Sequence, residues 1–197
     1  MPAQFVAPQS IVMTPRKLWT REECAILVSS GLIDAQRFEL IEGNLIHKPS
    51  KEPAYSRAVQ IMAIWLREVF GEDFAIQYPS FHLRPEDDDS SEPEPAVIVL
   101  TRSFSDFSDF PHAHDIRLVV EVSTPRTYAF DRSTKARLYA RAGIVDYWVL
   151  HLEGRRMIVH RDPEGDAYTS IFAYSEEEEL TALAAPLHAI RISEFLK

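Results

Sequence analysis

Apolar positions recur along the chain in two periods, and the switches between them mark its elements. Thr20 followed by Glu23 is a capping-box pattern that opens a short helix running to about Ser29. Across residues 37–47, β-favouring residues flank Glu42-Gly43-Asn44, which predicts a hairpin. Val59, Met62, Ala63, Leu66 and Val69 or Phe70 fall at helical spacing and predict a helix over residues 54–70, with Gly71 at its stop. A strand is expected over 74–83, followed by an acidic, proline-punctuated loop through Pro95. In that loop Asp87, Asp88 and Asp89 read as solvated turn residues. Residues 96–100 form a short apolar strand, and 116–122 form the most apolar one. The stretch between them reads as a loop carrying a short helix. A helix is expected over 131–142, closed by Gly143. Residues 146–152, 157–161 and 168–174 look like closing antiparallel strands, and Glu176 to Glu179 like a solvated turn. The alternation of strands and helices places the chain in the α/β (α+β) class.

Composition narrows this picture. A chain of 197 residues suits one domain over 16–197, preceded by a loose, proline-rich arm over 1–15. An apolar fraction of 46% and a charged fraction of 26% are ordinary for a globular protein. No apolar run approaches the roughly 18 residues that span a bilayer. The first residues carry neither a basic nor an apolar leader segment, so a cytoplasmic protein is expected. The lone cysteine, Cys24, forms no internal disulfide and reads as a small apolar helix residue. The formal net charge of −9 argues against strong non-specific binding to an anionic duplex, although an acidic whole can contain a basic groove.

Several residues carry possible chemistry. Glu121 lies in Ile116-Arg117-Leu118-Val119-Val120-Glu121-Val122, a run apolar enough to be buried on both faces. An ionised carboxylate there needs a cation or several donors, so it is either half of a structural ion pair or a metal ligand. Glu39, in Phe38-Glu39-Leu40-Ile41, reads first as part of a solvated strand face. Asp131 and Lys135 stand four residues apart, the spacing of a plain helical ion pair. Yet Lys135 near the helix start opposes the helix dipole, which leaves room for a functional role. His112-Ala113-His114-Asp115 could offer alternate histidines to Zn²⁺, but spacing supplies no third ligand.

Read together, Glu121-Val122-Ser123, Asp131-Arg132-Ser133-Thr134-Lys135, Tyr139, Gly143 and Asp146-Tyr147-Trp148-Val149 resemble, in order, the restriction endonuclease family of the PD-(D/E)XK nuclease superfamily. Phe38-Glu39-Leu40-Ile41-Glu42-Gly43 is similar to that family's opening hairpin, and Ser91-Glu92-Pro93-Glu94-Pro95 to the lead-in of its metal-binding strand. The resemblance implies a mixed β-sheet flanked by helices and a Mg²⁺- or Mn²⁺-dependent endonuclease acting on DNA. It also implies that Glu121 is an acidic metal ligand, Glu39 an accessory acid beside the metal, and Lys135 the lysine that stabilises transition-state charge. The basic stretch Arg126, Arg132, Lys135, Arg137 and Arg141, extended by Arg155, Arg156 and Arg161, would support DNA binding or simply solvate an outer face. Relatives are often dimeric, and the apolar closing strands with Trp148 would suit a homodimer.

The chain departs from the pattern at one position. Ala96 stands where the family's principal metal-binding aspartate belongs, and alanine donates nothing to a cation. Glu94, two residues back, is the candidate replacement metal ligand, but it is displaced by about 6.6 Å along a strand and Pro95 restricts the backbone between them, so it would need a rearranged strand entry. Mg²⁺ is therefore expected to bind weakly or not at all. A non-catalytic module keeping the fold to bind nucleic acid or protein is the alternative. Tyr55, where relatives often carry histidine, is a lesser departure.

Overall fold

The structure, a computed structural model, describes residues 16–49 and 52–197, so the arm expected over 1–15 lies outside the described residues. Helix α1 (Arg21–Ser29) begins on the expected capping box. The Glu23 backbone N–H donates to the Thr20 hydroxyl at 3.2 Å, and the Thr20 N–H donates back to the Glu23 carboxylate at 3.1 Å. Strands β1 (Phe38–Ile41) and β2 (Asn44–His47) form a separate antiparallel hairpin. Its turn residues Glu42 and Gly43 have φ of 48° and 74°, the left-handed pair that matches strand twist. A Cβ on Gly43 would meet Leu18 Cβ at 2.7 Å, so the turn's glycine also seats the segment before α1.

Helix α2 (Pro53–Phe70) opens on a proline and buries Val59, Met62, Ala63 and Leu66 before stopping at Gly71. The main sheet then follows. It comprises β3 (Ala75–Gln77), β4 (Val97–Leu100), β5 (Ile116–Ser123), β6 (Asp146–His151), β7 (Arg156–Glu164) and β8 (Ala167–Ser175), hydrogen-bonded in that order. Neighbours are antiparallel except β5 and β6, which run parallel with Glu121 opposite Val149. A parallel pair needs a crossover. The chain supplies it with α4 (Tyr128–Phe130), a π turn (Asp131–Lys135) and α5 (Ala136–Arg141). The apolar cluster containing α2 and the one containing α5 divide the alternate residues of the central strands between them. Two further short strands, β9 (Glu179–Leu180) and β10 (Ile190–Arg191), pair with each other.

Four expectations are corrected. The strand expected over 74–83 lasts three residues, because Tyr78 turns left-handed (φ 50°) and Pro79 has no N–H for a ladder. The helix expected from Asp131 starts earlier, at Tyr128, so Lys135 is not at a helix start and no dipole argument applies to it. Asp87 and Asp88 are not solvated turn residues. They belong to the short helix α3 (Pro85–Asp88), where Arg141 grips Asp87 through two bonds of 2.9 and 3.1 Å. Arg21 and His82 reach Asp88 at 3.2 and 3.0 Å. Trp148 is fully buried against Trp65, with its indole N–H donating to Asp146 at 2.9 Å, and so it cannot form a dimer contact. Glu176, in the acidic run, pairs with Arg155.

His160 on β7 is 2% exposed, packs against the Tyr147 and Tyr168 rings, and leaves its Nδ1 without a hydrogen-bond partner. Burial pulls its pKa down to about 4, with a backbone hydrogen bond to Tyr147 opposing. The unfolded chain takes up a proton below about pH 6.5 and the folded chain does not until about pH 4. The stability this neutral imidazole contributes is therefore complete above the higher value and lost as pH falls between the two. Urea titrations from pH 7 to pH 4 should show His160→Phe losing on the order of 3 kcal/mol less stability than the wild type. Equal losses in the two proteins would refute this.

Candidate active site

The strongest candidate site begins with the strand that sequence marked as most apolar. β5 is buried along nearly its whole length, and Glu121 on it is 5% exposed. The parallel neighbour β6 and the antiparallel neighbour β4 leave that carboxylate no route to water along the sheet. Its partner comes from the crossover. The Lys135 ammonium donates to Glu121 Oε1 at 2.8 Å and stands equally close, at 2.8 Å, to Glu39 Oε2. Lys135 is 3% exposed and Glu39 6%, so the reading of Glu39 as a solvated strand residue is overturned. The hairpin turns Glu39 towards the sheet, and Lys135 is the reason it can be buried there. Asp131 is not the lysine's ion-pair partner. It accepts a hydrogen bond from the Ser123 hydroxyl at 2.6 Å.

Supporting donors complete the cluster. The Tyr139 hydroxyl donates to the same Glu121 oxygen at 3.0 Å, and the Glu94 backbone N–H donates to Glu39 Oε2 at 3.2 Å. Tyr139 lies one helical turn beyond Lys135, on the same face of the crossover helix, which was the signal in the sequence that could have assigned it. Lys48, just past the hairpin, was missed because nothing local marks it. Its ammonium engages the Glu94 carboxylate.

Burial pushes the Glu121 carboxyl up to about 8, against the pull of Lys135. Burial alone would pull Lys135 down, but Glu121 and Glu39 overcome it and hold the ammonium well above its usual range. An ammonium midway between two carboxylate oxygens fits the charged form of Lys135, and this geometry outweighs the upward shift at Glu121. Burial also raises Asp131 and Tyr139. The cluster forms the floor of a cleft of 1190 Å³, walled by the hairpin, the start of α2, the loop after β5 and the segment after β6. Arg37, Lys48 and Arg126 line it, as do Asp34, Glu52, Glu94 and Glu153.

Ala96 is 1% exposed and packs in the apolar cluster that includes Tyr55. β4 pairs with β5 with Val97 opposite Val120, and one further step of that register sets Ala96 across from Glu121. An acidic residue at 96 would therefore stand beside the Glu121 carboxylate. Glu94 does not replace it, since β4 begins only at Val97 and the Glu94 carboxylate is engaged by Lys48. Among the described residues, no three His, Cys, Asp or Glu side chains are arranged to hold a metal ion. Mg²⁺ requires near-octahedral oxygen ligands. With Glu39 and Glu121 both on Lys135 and no side-chain oxygen at 96, the residues present do not fit it.

The zinc possibility fails on the same grounds, and His114 has its ring stacked on that of His112 rather than converging with it. The basic stretch also divides. Arg141, Arg155 and Arg161 are bound to Asp87 and Glu42, to Glu176 and to Asp146 respectively, whereas Arg126, Arg132, Arg137 and Arg156 are exposed.

A six-stranded mixed sheet flanked by helices has the restriction-endonuclease-like fold, and the buried acid–lysine cluster lies midway along its parallel pair. The chain belongs to the Uma2 family, described as "Putative restriction endonuclease", whose model matches residues 32–192. Families of this kind generally use divalent metals. Among solved structures the chain is similar to a putative nuclease belonging to DUF820 from Anabaena variabilis. The TM-score is 0.69 at 14% identity, covering 90% of this chain and 97% of the other. No curated protein matches the chain. No helix among the described residues is long and apolar enough to cross a membrane.

Removing Lys135 should strand two buried carboxylates. Lys135→Met is expected to destabilise the fold by about 3–5 kcal/mol at pH 8, measured by urea unfolding. With the cation gone, the Glu121 carboxyl rises further above its unfolded value, so the folded state binds extra protons and recovers stability as pH falls. The deficit should shrink by pH 5, and a deficit independent of pH would show that the two carboxylates are not buried as charges.

Proposed function

We propose that the chain is a DNA-directed phosphodiesterase whose hydrolytic site is impaired at position 96. The observation that supports this most directly is the convergence of Glu39, Glu121 and Lys135 on the floor of a cleft, with Ala96 in register beside Glu121. The acids and the lysine implied by the family resemblance lie together, and what is missing is one carboxylate. Lys135 is the group suited to meeting charge on a scissile phosphate. In this arrangement its charge is already engaged by both carboxylates, and the cleft around it carries more acids than bases. Binding to DNA is therefore expected to be weak, in keeping with the net charge of −9. Any homodimer has lost Trp148 as a contact and is left with the exposed Ile171 and Phe172 on β8.

Because Ala96 offers no side-chain oxygen, little or no Mg²⁺- or Mn²⁺-dependent cleavage by this chain is expected, and a binding module retaining the fold is the second reading. Calorimetric titration of Mn²⁺ and Mg²⁺, followed by plasmid nicking, should be carried out on the wild type and on Ala96→Asp. The variant is expected to bind metal and to nick about 10²- to 10³-fold faster than the wild type, the range for one lost transition-state contact. A wild type that binds metal and cuts as well as the variant would overturn the impairment. If neither protein binds metal or cuts, the phosphodiesterase reading falls and the binding module takes its place.

A further inference from the structure

The helix carrying Lys135 is not regular where it matters most. Between α4 and α5 the backbone widens into a π turn over Asp131–Lys135, in which the Ala136 N–H reaches back to the Asp131 carbonyl, five residues earlier. Such widenings have identifiable causes, usually a group inserted into the backbone ladder. Here the group is visible. The Tyr147 hydroxyl, from β6, donates to that same Asp131 carbonyl at 2.8 Å. The Asp131 side chain is held as well, by the Ser123 hydroxyl of β5 at 2.6 Å. Two residues earlier in the ladder, the Ser133 hydroxyl donates to the Ala129 carbonyl. Asp131 is 4% exposed and Tyr147 and Ser123 are fully buried, so these bonds form away from water.

Regular helical geometry would stack Lys135 directly over Asp131, four residues apart on one face. The two are instead directed to different partners, Asp131 to Ser123 and Lys135 to Glu39 and Glu121. We infer that Tyr147 and Ser123 are positioning residues: by gripping both the carbonyl and the carboxylate of Asp131 they hold the π turn open and direct Lys135 away from Asp131 into the acid pair. The inference takes Lys135 as the functional lysine, and so rests on the proposed function for its significance, but not for its test. Neither hydroxyl touches the cleft. Each acts through Asp131, and a phenylalanine at 147 would keep the ring packing while removing the donor.

The experiment is amine labelling of the intact protein with a small acylating reagent, read by peptide mass spectrometry. Lys17 and Lys197, with side chains 54% and 63% exposed, serve as internal standards in the same sample. In the wild type, Lys135 should be labelled far more slowly than either. Tyr147→Phe should raise its relative labelling rate at least about tenfold while the protein still unfolds cooperatively, and Ser123→Ala should shift it in the same direction. Tyr168→Phe is the matched control. It removes another buried tyrosine hydroxyl, the 2.8 Å donor to the Ile144 carbonyl, without touching the π turn. It should leave Lys135 protected. Unchanged labelling in Tyr147→Phe, or equal exposure in Tyr168→Phe, would overturn the inference. No nuclease activity enters the readout, so failure of the phosphodiesterase reading and failure of this one are separately visible.

Discussion

The structure depends on one buried ammonium. Lys135 joins three pieces of chain that otherwise share little: the detached hairpin, the central strand β5 and the crossover helix. Each of the three brings a group that would be costly to bury alone. Together they satisfy one another, with Tyr139 and the Glu94 backbone supplying further donors. A hairpin of four-residue strands has little independent stability. Its place beside the sheet is fixed by Glu39, by the apolar contact of Ile41 and by Arg141, which binds Glu42 at 2.8 Å.

A second buried charge organises the opposite side. Asp146, at the start of β6, receives the Trp148 indole at 2.9 Å, Arg161 at 2.9 Å and the Leu183 N–H at 2.8 Å. It thereby ties the C-terminal segment to the sheet. Three of the arginines that looked like a basic face in one dimension are therefore spent on internal ion pairs. Arg141, Arg155 and Arg161 neutralise the chain's own carboxylates, which leaves the acidic excess outside.

Much of this was legible from the residues alone. The capping box at Thr20, the hairpin at Glu42-Gly43 and the buried carboxylate of β5 each rest on local chemistry that tertiary contacts then respected. Glu39 was not legible as buried, because the cation that makes its burial tolerable is far along the chain. Asp87 was misread for the same reason, its partner Arg141 lying on a different element. The π turn left no trace in the apolar spacing, since it is set by hydroxyls arriving from two other strands. The resemblance to nucleases supplied the grouping of Glu39, Glu121 and Lys135, and the fold explains why they meet. That position 96 carries no side-chain carboxylate was visible in the sequence. That Ala96 packs in the apolar cluster with Tyr55 was not.

β8 ends the main sheet, and among the described residues no strand neighbours its outer backbone groups. Proteins usually blunt such an edge with lysine, proline or an inward charge. Ala167–Ser175 has none of these, and it exposes Ile171 and Phe172 beside one another. In a concentrated solution or a partly heated one, this margin is where one copy can add its backbone to the next. The chain's acidic exterior then acquires a second role, as the long-range repulsion that keeps those margins apart, and raising the ionic strength weakens that protection.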